Sequence, residues 1–418
     1  MRTSRVLLAV MLVAAVLGAG GDLVARAQEA GGHPARAVSP AVPPSGTVPF
    51  TLDHNRMFVE VEFLRPDGTV RKARAWVDTG SEALTLVEPL ARDLGLDCSG
   101  LKQGRADGSA ASSSAAPPTR LGGMPLDVAG IKVKVFSGTR LWPGLPAEAS
   151  LPASAFRHGH LILDYPARRL TVARPGTVKP RGETVPCRVN AQTGLFAIAA
   201  ALNGDIVQVG VDTGSAGTWV SDRLTDDWLA CHPDWPQATG AAGSTNFFGF
   251  PFESRGTLVR LPELGIGALR AKDVAVLGLP QGLFDWYSKK SARPVVGFIG
   301  ANVLKGFRIE IDFPSGMTYW DAGPLPAPGD LDIVGVTLRP EADGGYIIGG
   351  VVTKDGKPAV AGVQPGDRLI CVGQLDTSGA PMGTVVDALR GTPGETRTLG
   401  IERDGKRVNI EGTVARLP

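Results

Sequence analysis

Two short runs in this sequence carry the same chemistry. They are Trp76-Val77-Asp78-Thr79-Gly80-Ser81 and Gly210-Val211-Asp212-Thr213-Gly214-Ser215. In each, an apolar stretch runs into a loop that opens with a carboxylate. Gly80 and Gly214 allow a tight turn and the close approach of another chain segment. The hydroxyls of Thr79 and Thr213 can hydrogen-bond into a copy of the same loop. If the loops pack about a pseudo-two-fold axis, Asp78 and Asp212 face each other. Two carboxylates about 3 Å apart cannot both ionise and share one proton. The charged member takes a proton from water while the protonated member polarises a peptide carbonyl, which is general acid–base hydrolysis without a covalent intermediate. One such triplet alone reads as an ordinary strand-ending turn; two inside a duplicated unit read as a catalytic pair.

The duplication extends to the elements that must position the loops. Residues 57–63 alternate apolar and polar, a half-buried strand. Pro66-Asp67-Gly68 is a turn, and residues 69–77 are the return strand. Residues 195–201, the turn Asn203-Gly204 and residues 206–211 repeat the layout. Downstream, Leu161-Ile162-Leu163-Asp164-Tyr165-Pro166 matches Ile309-Glu310-Ile311-Asp312-Phe313-Pro314. Two copies of one unit of about 130 residues are therefore expected, at 47–175 and 187–322. Pro-, Gly- and charge-rich linkers are expected at 176–186 and 323–330. Residues 331–418 form a separate segment, with strands at 346–352 and 368–372, a helix at 382–390 and a final hairpin about Asp404-Gly405. Glycine (55) and proline (33) are abundant enough to favour short strands and tight turns over helices.

These motifs resemble the aspartic protease clan: pepsin-like in carrying two lobes on one chain, with each lobe similar to the small retropepsin-like domains of bacteria. The resemblance implies a mainly β fold, with two similar retropepsin-like β lobes forming a pepsin-like bilobal unit. It implies that Asp78 and Asp212 are catalytic, and that Thr79, Gly80, Ser81, Thr213, Gly214 and Ser215 shape the active-site loops. Water is then the nucleophile, a polypeptide the substrate, and no metal or cofactor is needed. In the family, a hydrophobic-hydrophobic-Gly element braces each loop. Lobe 2 has it as Phe298-Ile299-Gly300, but lobe 1 has Pro152 where the Gly would stand. That departure keeps a second reading open: catalytically degenerate lobes serving as a peptide-binding scaffold, or an adaptor working through the last domain. The family also closes a flap over the cleft. The candidate is 239–253, with Phe247, Phe248 and Phe250 able to wall an apolar cleft or to sit in the core.

The last segment resembles PDZ domains attached to bacterial proteases, through Gly345-Tyr346-Ile347-Ile348 and Ala361-Gly362-Val363-Gln364-Pro365-Gly366-Asp367. The resemblance implies that a peptide C-terminus adds as a strand beside Tyr346 to Ile348, opposite the helix. Docking onto the chain's own lobes is the alternative.

Arg2 and Arg5, the apolar run 6–19 and Ala25-Arg26-Ala27 have the layout of a secretory signal peptide, too short in its apolar part to span a membrane. Residues 1–27 are expected to be removed, leaving a flexible linker at 28–46 and an exported protein, periplasmic or secreted, with no stable membrane anchor. Cleavage takes away three arginines and one aspartate, so the formal +2 falls to zero. That balance excludes electrostatic binding of nucleic acid. With both carboxylates on one chain, a monomer is expected. Of Cys98, Cys187, Cys231 and Cys371, Cys187 and Cys231 are placed to close a loop in lobe 2, and Cys371 reads as a small buried apolar residue. His158-Gly159-His160 reads as an exposed turn rather than a zinc site. A P-loop and a Gly-x-Ser-x-Gly elbow are both absent.

Overall fold

The computed structural model describes residues 42–99, 101, 109–112, 115–243, 253–323 and 328–418, which all belong to one compact unit. The fold is mainly β. In the strand Arg56–Leu64, Met57, Val59, Val61 and Phe63 point into the core while Glu60 is exposed, as the alternation requires. Its return strand Val70–Asp78 pairs with it from Leu64↔Val70 to Phe58↔Trp76. The turn closes through Gly68, at a φ of 82° that favours glycine. Phe196–Leu202 and Asp205–Val211 form the equivalent hairpin.

Each loop-bearing strand receives a second, parallel neighbour from far along the chain. Ala149–Pro152 lies beside Val70–Asp78, with Asp78↔Pro152 in register. Gly297–Ile299 lies beside Asp205–Val211, with Val211↔Ile299. Each of these neighbours also pairs antiparallel with the strand after its loop, Leu84–Val87 in one unit and Thr218–Ser221 in the other. Both carboxylates thus leave the middle of a sheet rather than its edge.

The two units share one antiparallel sheet. Its strands run in the order 45–49, Arg169–Ala173, His160–Asp164, Phe307–Asp312, Met317–Ala322 and 183–186. The repeated strands noted in the sequence pair with each other at its centre, with Leu161↔Ile311 and Leu163↔Ile309. Two expected linkers are therefore partly strand. Ser45–Asp53 begins inside 28–46, and Glu183–Val189 begins inside 176–186, each recruited by its partner in this sheet. His160 is not in an exposed turn. It is buried in the shared sheet, where its Nε2 lies 2.7 Å from Glu310 Oε2.

Residues 332–416 form a second sheet in the order Asp332–Val334, Lys406–Arg416, Thr396–Arg403, Arg368–Val372, Tyr346–Val351 and Val336–Pro340, with the helix Met382–Leu389 packed on it. Tyr346 and Ile347 are paired on both sides, with Pro340 and Arg339 on one and Leu369 and Arg368 on the other; Ile348 pairs with Leu338. The expected strand addition beside Tyr346 to Ile348 is corrected on this point: the outer strand is Val336–Pro340. All four cysteines are free, so the expected Cys187–Cys231 bond is absent; Cys187 is buried in a strand and Cys231 is exposed at the end of a helix. Cys371 is only half-buried.

Candidate active site

The loops that follow Asp78 and Asp212 interlock. Thr79 N–H donates to Thr213 Oγ1 (3.1 Å), and Thr213 N–H donates to Thr79 Oγ1 (3.0 Å). Each hydroxyl then donates to the carbonyl just before the other aspartate, Thr79 to Val211 and Thr213 to Val77, both at 2.7 Å. Both threonines are wholly buried, so these four bonds have no competition from water. The carboxyl groups of Asp78 and Asp212 are drawn into hydrogen-bonding contact.

Each glycine is required by closeness. A Cβ on Gly80 would lie 2.7 Å from Asp212 Cγ, and one on Gly214 would lie 2.5 Å from Asp78 Oδ1. Each glycine also donates its N–H to its own carboxylate, Gly80 to Asp78 (3.1 Å) and Gly214 to Asp212 (2.8 Å). Ser81 and Ser215 anchor the far ends of the loops through their carbonyls, which accept from Ala153 N–H (3.0 Å) and Ala301 N–H (2.9 Å).

That last pair answers the departure at Pro152. Pro152 and Gly300 each precede the residue that makes the bracing bond, so lobe 1 is braced without a glycine. In lobe 2 a Cβ at position 300 would meet Gly217 O at 1.9 Å, which is why glycine is needed there.

Burial raises the pKa of Asp78 well above the usual carboxylate range, and the Asp212 charge adds to the rise. Asp212 is also raised by burial, but the N–H groups of Gly214 and Ser215 and the bond from Asp78 pull it back. A raised and a restrained carboxyl in contact is an arrangement that holds one proton between two groups. It can take a proton from a water and give one to a carbonyl oxygen.

No protein-family model matches the chain, and no curated protein sequence does. Among solved structures it is similar to an aspartic proteinase from Irpex lacteus, at 12% identity and a TM-score of 0.39, over 67% of this chain and 98% of that one. The likeness is slight, and the chemistry above rests on the geometry of the two loops.

Three groups beside the pair were not singled out from sequence. Tyr165 and Tyr287 are buried near Asp212, which, after burial itself, holds both phenols above their ordinary pKa. Arg56 is buried and donates from Nε to Gly214 O at 3.1 Å. Tyr165 stood in a repeated motif, next to the duplicated Asp164, and that position was its only sequence signal. Phe247, Phe248 and Phe250 lie outside the described residues, as does most of the candidate flap.

The C-terminal module is docked on the lobes. Asp53 accepts from Gly383 N–H at the start of the helix Met382–Leu389, and Arg260 donates to Leu417 O at 2.8 Å. Ala241 to Gly243 of lobe 2 lie against the outer strand Val336–Pro340: Gly243 N–H donates to Val336 O (2.8 Å), and the Thr337 hydroxyl donates to Ala241 O. A Cβ on Gly243 would sit 2.9 Å from Ile333 and 3.1 Å from Val386 of the helix. The space between outer strand and helix is thus held by the chain's own lobe.

Proposed function

We propose that this chain is an aspartic-type endopeptidase that hydrolyses peptide bonds with water activated between Asp78 and Asp212. The observation that carries the reading is the reciprocal bonding of Thr79 and Thr213, which has no purpose in two independent turns and brings two carboxyl groups into contact. Asp212 takes the proton of the attacking water, and Asp78 protonates the carbonyl oxygen as the tetrahedral species forms. Preorganised amides at both loops lower the reorganisation needed as charge develops. The bracing bond from Ala153 N–H to Ser81 O in lobe 1 supports this reading over the scaffold reading. We further propose that residues 331–418 are a PDZ-type module held in cis, and that residues 1–27 direct export.

The test is incubation of the protein with an unfolded polypeptide over pH 3–8, with and without a chelator and a peptide carrying a secondary hydroxyl in place of the scissile amide. Such an isostere mimics the tetrahedral species and binds tighter than substrate. Internal cleavage that the isostere inhibits and the chelator leaves untouched is expected. Cleavage abolished by the chelator would contradict the reading.

A further inference from the structure

Arg56 breaks the symmetry of the two lobes at the one place where symmetry would matter. Trp76 and Gly210 occupy equal positions before the two aspartates, and their cross-strand partners are Phe58 and Ala197. Two residues earlier in the chain stand Arg56, the first residue of its strand, and Leu195, just before the strand Phe196–Leu202. Both are buried, at 3% and 1% exposure. One lobe therefore presents a guanidinium where the other presents an isobutyl group.

The guanidinium reaches across the lobes. Its Nε–H donates to the carbonyl of Gly214. That carbonyl shares a peptide group with the Ser215 N–H, which faces Asp212: it donates to the Asp212 main-chain carbonyl (3.3 Å) and helps hold the carboxyl pKa down. Gly214 N–H, on the preceding peptide, donates to Asp212 Oδ1. A cation on the carbonyl end of a peptide polarises it and makes its N–H a stronger donor. The charge itself also favours a nearby carboxylate over a carboxylic acid.

We propose that Arg56 is a positioning residue that assigns the two roles within the pair, keeping Asp212 as the ionised base and leaving the shared proton on Asp78. The inference rests on the proposed dyad and goes beyond it, because two symmetric loops alone would leave the roles undecided. The charged and titratable groups facing Arg56 are Glu253, Asp53, Asp212, Asp78 and His54. Those facing the pair, besides Arg56, are Tyr165 and Tyr287. Burial pushes the Arg56 pKa down to about 10, and the surrounding carboxylates oppose that fall, so the group stays charged throughout the range in which carboxylates titrate.

The experiment is carbon-13 NMR titration of the two aspartate carboxyl groups in the full chain, assigned with Asp78→Asn and Asp212→Asn, beside the pH profile of cleavage. In the wild type, Asp212 ionises first. Arg56→Met moves that first ionisation, and the acid limb of the profile, up by about one pH unit. Arg56→Lys keeps both near their wild-type positions while lowering kcat, since the charge remains and the Nε contact is lost. If the bare methionine variant does not fold because Glu253 is left without its cation, Arg56→Met with Glu253→Gln replaces it. Asp78 ionising first, or unchanged titration in the methionine variants, overturns the proposal. Absence of cleavage with Asp212 still ionising first would defeat the dyad's catalytic reading and leave the proton assignment standing.

Discussion

Thr79 and Thr213 hold each other by backbone N–H to hydroxyl in both directions, and each hydroxyl passes a bond on to the strand that carries the other aspartate. Replacing either threonine with alanine strands one buried N–H and one buried carbonyl. The expected loss is about 2–4 kcal/mol of stability, read as a lower denaturant midpoint, with a fall in kcat. Serine restores most of both because it keeps the hydroxyl. Equal effects of serine and alanine would show that methyl packing, not the bonding, holds the loops.

Gly80 and Gly214 approach the opposite carboxyl group too closely for any side chain. Gly80→Ala and Gly214→Ala are expected to push the carboxyls apart, abolishing cleavage while lowering stability by about 1–3 kcal/mol. Circular dichroism and a cleavage assay on the same samples check this. Retained activity in either variant would mean that the carboxyls need not be in contact.

The raised pKa of Asp78 sets a pH dependence of stability. The folded state binds the Asp78 proton more tightly than the unfolded state, whose value is near 3.8. Stability from this group is full below that value and is lost as pH rises toward the folded pKa. Carboxylates held low, such as Asp93 and Asp367, act oppositely, but they are common to wild type and variant and cancel in a comparison. Asp78→Asn should therefore raise Tm relative to wild type at pH 7, with the gain shrinking toward pH 3. A gain independent of pH would contradict the assignment.

The space between Val336–Pro340 and the helix Met382–Leu389 is held by Gly243 and its neighbours. A peptide binding there must displace them, so its apparent affinity is lowered by the fraction of open molecules. Gly243→Val should loosen the contact, because position 243 has a φ of 60° and no room for a side chain. At least a roughly tenfold tighter Kd for peptides with free C-termini is expected, measured by fluorescence anisotropy. Identical binding by wild type and variant would place any peptide site elsewhere.

The legible parts of this molecule were those written locally. The hairpins leading to Asp78 and Asp212 follow from alternation and turn residues within about twenty positions, and the duplication of a short motif revealed their pairing. What sequence could not convey was set by distant partners. Tyr346 to Ile348 read correctly as a strand, but whether a strand is inner or outer depends on Leu338 to Pro340 and on Arg368 and Leu369. Pro152 looked like a defect because the bond it permits, Ala153 to Ser81, joins residues far apart in the chain. Arg56 carried no signal in the sequence because its partner, the Gly214 carbonyl, lies on the other lobe. His160 looked exposed because its partner, Glu310, lies on the other lobe.

The most direct check is the rate of cleavage of one unfolded polypeptide by wild type, Asp78→Asn and Asp212→Asn at the wild-type pH optimum. Each substitution is expected to lower kcat by at least about 10³-fold while leaving the fold intact. Wild-type-like cleavage by either variant would contradict the account.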